Sequence, residues 1–459
     1  MMKFRPLIAF AFTAVSLAGC TKSVDPANTP NGTEDTSTVA QDNARTEQIR
    51  QAYAEANVDR AAAAKAVRTF GAELYRSLQS QSGKEANLAL SPWSVENALI
   101  MTAAGAKGDT LAQMLSTLGF GIYADSPESM QTSFADLSKS MLENAREYEE
   151  DGSRDDDTIL QAANAIWVAN ELKPKLRPEF QGILRDVHQA EINTAPFRSD
   201  AEGARETINK WVADHTDDKI EDLLPGGFIR PSTSMVLTNA VAFDADWMHA
   251  FDEKLTKEED FHRLDGTTSR VRMMNQRINS ASYWTGDNFI GVALPYEGGD
   301  YAMSIVVPEA GHFAQVRDVL FQDGWETVFP SRNNWSEGQA QVALPKFKFR
   351  WSGQLAEVLK GMGMEHAFDG RANFTGMFSE GNEVISQVIH EVYIDVDEDG
   401  TEAAAATGVG MMRTSMPMEP PMIQTIRADR PFLFIIQDTA SGTPVFMGQV
   451  VDPSASARD

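Results

Sequence analysis

Apolar positions in this chain repeat with two periods, and the stretches where each holds outline its elements. From Asn57 onward Ala62, Ala66, Phe70, Leu74 and Leu78 recur at helical spacing, the mark of a helix with one buried face. EGARETINKWVADHT, residues 202–216, reads as a second helix. Hairpin patterns are interleaved. In FIGVALPYEGGDYAMSIVVPE two apolar runs flank a Gly-Gly-Asp turn, and PFLFIIQDTASGTPVFMGQVVDP reads as two buried strands around Ser-Gly-Thr. No internal repeat or second linker interrupts the series, so one large domain of mixed helices and strands is the simplest organisation.

One segment fits neither period. VIHEVYIDVD sets Val392, Ile394 and Val396 against Glu391, Tyr393, Asp395 and Asp397, the alternation of a half-buried strand. It runs into DEDGTEAAAATGVG, residues 397–410. Ala403, Ala404, Ala405 and Ala406 favour helix, yet Gly400 precedes them and Thr407-Gly408-Val409-Gly410 follows, so no useful helix can build. Alanine is also a poor strand former.

The chain has 459 residues, 42% of them hydrophobic, enough for a large core. With 40 basic and 66 acidic residues the formal charge is −26; phosphate backbones and anionic lipid surfaces repel such a protein on average, which argues against nucleic-acid binding. The acidic run EYEEDGSRDDD, residues 147–157, reads as a solvated face. Cys20 is the only cysteine, so intramolecular disulfides and cysteine metal sites are excluded. It follows a short basic start, Lys3 and Arg5, and the apolar stretch PLIAFAFTAVSLAG, the layout of a secretory signal. Leu17-Ala18-Gly19-Cys20 resembles the bacterial lipobox, which implies a signal peptide over 1–19 and a lipid-modified Cys20 as first mature residue. Residues 20–56 then form a flexible tether and 57–459 the folded domain; about thirty tether residues reach about 30 Å. Thr21 in place of Asp resembles outer-membrane sorting, so the expected location is the bacterial cell envelope, at the outer membrane or cell surface.

Common catalytic signatures are missing. His390-Glu391 lacks a second histidine four residues on, where Ile394 stands in a strand pattern, and no metal site follows from it. No nucleophile elbow, P-loop or dinucleotide fingerprint occurs.

Eight segments, in order, resemble the serpin family: NLALSPWSVENALIMTAAGAKGDTLAQM, ANAIWV, INKWVADHTDDKIEDLL, MVLTNAVAFDADW, VALPKFKF, LKGMGMEHAFDGRANFTGM, GTEAAAATGV and RPFLFII. Departures are few. Asp217-Asp218 replaces a glycine-containing turn before Lys219, and Glu391 stands where the family usually has lysine. The resemblance implies an α+β serpin fold, three β-sheets with about nine helices, and an exposed reactive-centre loop over about 398–422. It implies a serine protease inhibitor, not an enzyme, with no cofactor. The protease cuts the loop, the acyl-enzyme is trapped as a covalent complex, and residues of about 400–413 enter the central sheet as a strand.

Residue roles follow from the resemblance. Glu398, Gly400, Thr401, Glu402, Ala403, Ala404, Ala405, Ala406 and Thr407 form the hinge. As a strand, it directs Glu402, Ala404 and Ala406 to solvent and the small residues Thr401, Ala403, Ala405 and Thr407 to the core. Before cleavage Thr401 is expected to be exposed. Ser91, Ser94, Asn239 and His390 resemble the polar cluster under the central strands, Trp247 the tryptophan where insertion begins, and Lys346 with Glu398 a surface pair holding the hinge. Counting seventeen residues from Glu398 places the cut between Thr414 and Ser415; Arg413 and Thr414 are the alternative. The partner is a serine protease, with cysteine proteases as a further class; the protein is a monomer that meets the membrane through its lipid at Cys20. A rival reading keeps the scaffold but makes it a non-inhibitory binding or chaperone-like protein.

Overall fold

The computed structural model describes residues 47–49, 51–82, 86–121, 126–148, 154–158, 160–190, 192–320, 324–381, 383–401 and 423–455. The signal segment, Cys20, most of the tether, residues 402–422 and the acidic centre 149–153 lie outside them. In chain order the strands are β1 (Leu88–Leu90), β2 (Arg146–Tyr148), β3 (Arg154–Thr158), β4 (Leu160–Ala169), β5 (Ile192–Ala195), β6 (Met235–Phe243), β7 (Ala245–Asp246), β8 (Lys257–His262) and β9 (Thr268–Gly286). They continue as β10 (Phe289–Pro295), β11 (Tyr301–Pro308), β12 (Ser336–Pro345), β13 (Phe347–Gln354), β14 (Gln387–Val396), β15 (Gly400–Thr401), β16 (Gln424–Arg427), β17 (Phe432–Asp438) and β18 (Pro444–Val450).

Among the described residues the main sheet has seven strands. β5 pairs β4, β4 pairs β6, and β6 lies parallel to β14, which pairs antiparallel with β13 on its far side. The register of the central pair runs from Gln387 opposite Val236 to Val392 opposite Val241. Among the described residues nine strands form the second system, in the order β1-β18-β17-β11-β10-β9-β12-β16 with β8 beside β9. β9 is 19 residues long. Its first part pairs β8 and β12 and its last part pairs β10, so this strand is shared by two smaller sheets. The α+β, three-sheet fold implied by the sequence is the one observed, with β2 and β3 as an added hairpin at the acidic run.

Local chemistry starts the helices where the periodicity placed them. The Asp59 carboxylate accepts from Ala62 N at 2.9 Å, and the helix Arg60–Ser82 then buries Ala66, Phe70, Leu74 and Leu78. The helix Pro92–Ala103 begins with the Ser91 hydroxyl accepting from Ser94 N and Pro92 in the first turn. It packs under β4 and β6. Backbone at 47–49 and 51–54 is helical, inside the segment read as tether, and Asn57 N donates to Ser129 Oγ. Too few apolar residues stand there for a periodic signal.

β14 departs from its pattern. Val392, Ile394 and Val396 are buried and Tyr393 and Asp395 half-buried, but Glu391 is only 3% exposed. Alternation assigned Glu391 to solvent; it lies instead against Arg350 of β13, whose guanidinium also bonds Lys219 O in the chain between the helix Ala201–Asp214 and β6.

Candidate functional site

The upper end of the main sheet is built around the start of the ambiguous segment. β15 lies between β7 and the end of β14, with Thr401 opposite Val396 on one side and Ala245 on the other, and Gly400 opposite Asp246. A side chain at Gly400 would meet the Ala245 carbonyl oxygen at 2.1 Å, so only glycine permits this approach. Asp397 Oδ1 accepts from Asp399 N and Gly400 N, closing the turn that brings the chain back. Thr401 is 1% exposed, and its hydroxyl lies 2.7 Å from Tyr296 Oη. This corrects the expectation that Thr401 is exposed before cleavage: the strand ladder already reaches it.

Trp247 anchors the same corner. Its ring stacks on Tyr296 with centroids 4.5 Å apart, its Nε1 donates to Asp397 O at 3.0 Å, and its backbone N donates to Asp399 O at 2.7 Å. Phe251 N reaches Glu398 O at 2.8 Å. The Glu398 side chain is a second correction, being 3% exposed rather than a surface group. It bonds Lys346 Nζ through one oxygen and Thr256 Oγ1, at 2.8 Å, through the other, with Arg272 Nη2 at 3.6 Å. Burial opposes its ionisation, but the bonds from Lys346 and Thr256 and the Lys346 charge outweigh it and hold the carboxyl below the ordinary range. Asp246 and Asp399 are shifted up by burial and then by acidic neighbours, among them Asp397. The mouth of the sheet is thus acidic, with Lys346 as its central counter-charge.

Lower down, the central strands rest on a polar cluster. Ser91 N donates to His390 Nε2 at 2.9 Å, Ser94 Oγ donates to Asn164 Oδ1 at 2.7 Å, and Asn239 Nδ2 donates to both Ser94 Oγ and Asn164 Oδ1. Ser91, Ser94, Asn239 and His390, dispersed in sequence, therefore share one buried site. Burial pushes the imidazole down to about 3, so His390 is neutral and accepts a backbone hydrogen bond. Asn164 was missed. Its signal was present in ANAIWV as a polar residue within an apolar strand, and in the sheet it stands directly opposite Asn239. Tyr296, Thr256 and Arg272 gave no such signal, because they come from other strands or from turns. Glu402, Ala403, Ala404, Ala405, Ala406, Thr407, Arg413, Thr414 and Ser415 fall outside the described residues. Among the described residues no group of three or more His, Cys, Asp or Glu is arranged to hold a metal.

A parallel strand pair with the first residues of a connecting segment paired at its upper end defines an α+β protein whose main sheet borders its own loop. The chain belongs to the serpin family, whose model, Serpin (serine protease inhibitor), matches residues 65–453. An uncharacterised serpin-like protein of Thermococcus kodakarensis is 36% identical over 389 residues, covering 84% of this chain and 85% of that protein. Leukocyte elastase inhibitor of Sus scrofa is 30% identical over 392 residues, 84% of this chain and 97% of its own. The native-state crystal structure of a thermophilic serpin, tengpin, superposes with a TM-score of 0.72 at 30% identity, covering 87% of this chain and 96% of that one.

Proposed function

We propose that this protein inhibits serine proteases as a suicide substrate, with cysteine proteases as a second target class. The protease cuts the connection after Thr401, at Thr414-Ser415 or at Arg413-Thr414, and residues of about 400–413 enter between β6 and β14 before the acyl-enzyme hydrolyses. The supporting observation is that Gly400 and Thr401 pair with β7 on one side and β14 on the other, at the end of the sheet where such a strand would begin. The next residues, Glu402 to Thr407, are small apart from Glu402 and contain no proline, which would interrupt a ladder. A relative that inhibits leukocyte elastase, by its name, fits the same reading.

The test mixes the chain from Thr46 onward with trypsin, elastase and subtilisin. A denaturant-resistant adduct with one of them is the expected result, and mass spectrometry of the new N-terminus locates the cut. Ala403→Arg, at the next position of inward parity, should abolish the adduct while cleavage continues, since an inserted strand would have to bury the charge. Turnover without an adduct in the wild-type protein would instead favour a non-inhibitory scaffold. We further propose that the chain is exported and lipid-anchored through Cys20 at the outer membrane or cell surface of a bacterial envelope, as a monomer with no cofactor.

A further inference from the structure

Two sequence departures, Asp217-Asp218 and Glu391, meet on one face of the main sheet. His390 points down to Ser91, so Glu391, its neighbour in the strand, points to the opposite face. There the chain between the helix Ala201–Asp214 and β6 is tied to the sheet at several points. Gln161 Nε2 of β4 donates to Asp217 Oδ2 at 2.6 Å. Lys219 Nζ lies 2.8 Å from Asp244 Oδ2, just past the end of β6. Arg350 Nη2 of β13 donates to Lys219 O at 2.7 Å, and the same guanidinium faces Glu391 of β14, Nε to Oε1, at 3.4 Å. Asp217 and Asp218 have φ of 46° and 59°, a left-handed turn made without glycine immediately before Lys219.

Lys219 therefore grips the β6 side by its ammonium and the β13–β14 side by its carbonyl. The boundary between β6 and β14 runs between the two grips. A strand added at that boundary moves its neighbours apart by about 4.8 Å, more than one residue can follow while keeping both hydrogen bonds. We propose that Lys219 is a staple across the insertion seam and that the Glu391 carboxyl sets its hold, making strand uptake slower in acid than in base; this rests on the insertion reading above.

The groups around Glu391 fix the sign. Arg350 and Ser352 of β13 favour its charged form; Asp222, from the segment that precedes β6 and 4.0 Å from Arg205 of the helix, opposes it. β6 adds no titratable side chain from Met235 to Phe243. The Arg350 guanidinium also sits over the Tyr393 ring, 5.8 Å from its centroid, and so links Glu391 to Lys348, Tyr393 and Asp395 one pair further along. Burial dominates and pushes the carboxyl up to about 7. The closed state thus holds a proton that a hydrated carboxyl would release. Opening that admits water to Glu391 becomes easier as pH rises from the ordinary carboxylate range through the raised value, by at most about tenfold per pH unit for one proton.

A synthetic peptide with the sequence of residues 400–413, added to the intact full chain, reports seam opening without any protease. Wild-type annealing should quicken from about pH 5.5 to about pH 8, Glu391→Gln should lose that slope, and Lys219→Met should anneal several-fold faster while Lys219→Arg stays near wild type. Equal rates for Lys219→Met and wild type, or an unchanged slope in Glu391→Gln, would overturn the staple. If no peptide anneals and no protease adduct forms, the insertion reading fails. Hydrogen exchange then still judges the contacts: amides of 216–224 and β14 should exchange faster in Lys219→Met than in wild type at the same pH, and equal exchange rejects the staple.

Discussion

Glu96 shows how much one side chain can work against its surroundings. It sits inside the helix Pro92–Ala103, fully buried, with neither carboxyl oxygen hydrogen-bonded among the described residues. Burial drives its carboxyl well above the ordinary range, so the proton stays on in the native state. A raised native value means that the group's contribution to stability is complete in acid and is lost as pH climbs through that value. Glu96→Met keeps the volume and removes the unsatisfied oxygens; it should raise native stability by about 1–3 kcal/mol and flatten the loss on the alkaline side. Urea unfolding at neutral and alkaline pH measures both, and a variant no more stable than wild type would show that Glu96 is better accommodated than its contacts suggest. At this scale the sequence was legible where motif and chemistry agree, as at His390 and Trp247. It was not legible for Glu96, Glu391 and Glu398, because burial of a carboxylate depends on what folds over it.

Among the elements, β15 is the instructive one. Two residues are too few for any periodicity, and alanine-rich continuation argues for no secondary structure. Yet Gly400 and Thr401 pair on both sides, because β7 and β14 end at the same level and leave their edges open toward each other. If the segment continues downward after cleavage, it gains a ladder on two sides and buries Ala403, Ala405 and Thr407. The loop-cut protein should then melt well above the intact one, as release of a kinetically trapped form requires. Differential scanning calorimetry before and after cleavage at the loop decides this, and a cut form melting at or below the intact temperature would remove insertion from the mechanism. β14 teaches the complementary lesson. Its alternation identified a strand correctly and misplaced Glu391, since a period of two assumes one dry face and one wet face, and here both are covered.

For the whole molecule, charge and attachment are the properties that matter. A net charge of −26 disfavours nucleic acid and anionic surfaces, so contact with a membrane would have to come from a covalent lipid. Expressed in a Gram-negative host, the full chain should incorporate labelled palmitate and fractionate with the envelope. Cys20→Ala should lose the label and leave the membrane fraction, and label persisting in that variant would exclude Cys20 as the anchor.

The sequence by itself determined the family and its α+β fold, because these are written in periodicity and in ordered motifs read along the chain. Only the tertiary structure decided that Thr401 is already buried beside Tyr296, that Glu398 is enclosed by Lys346 and Thr256, that Asn164 completes the cluster of Ser94 and Asn239, and that Lys219 bridges the strands which would part. Each of these is a contact between residues distant in sequence, and the energy of a buried polar group is set by the partners that folding brings to it rather than by its place in the chain.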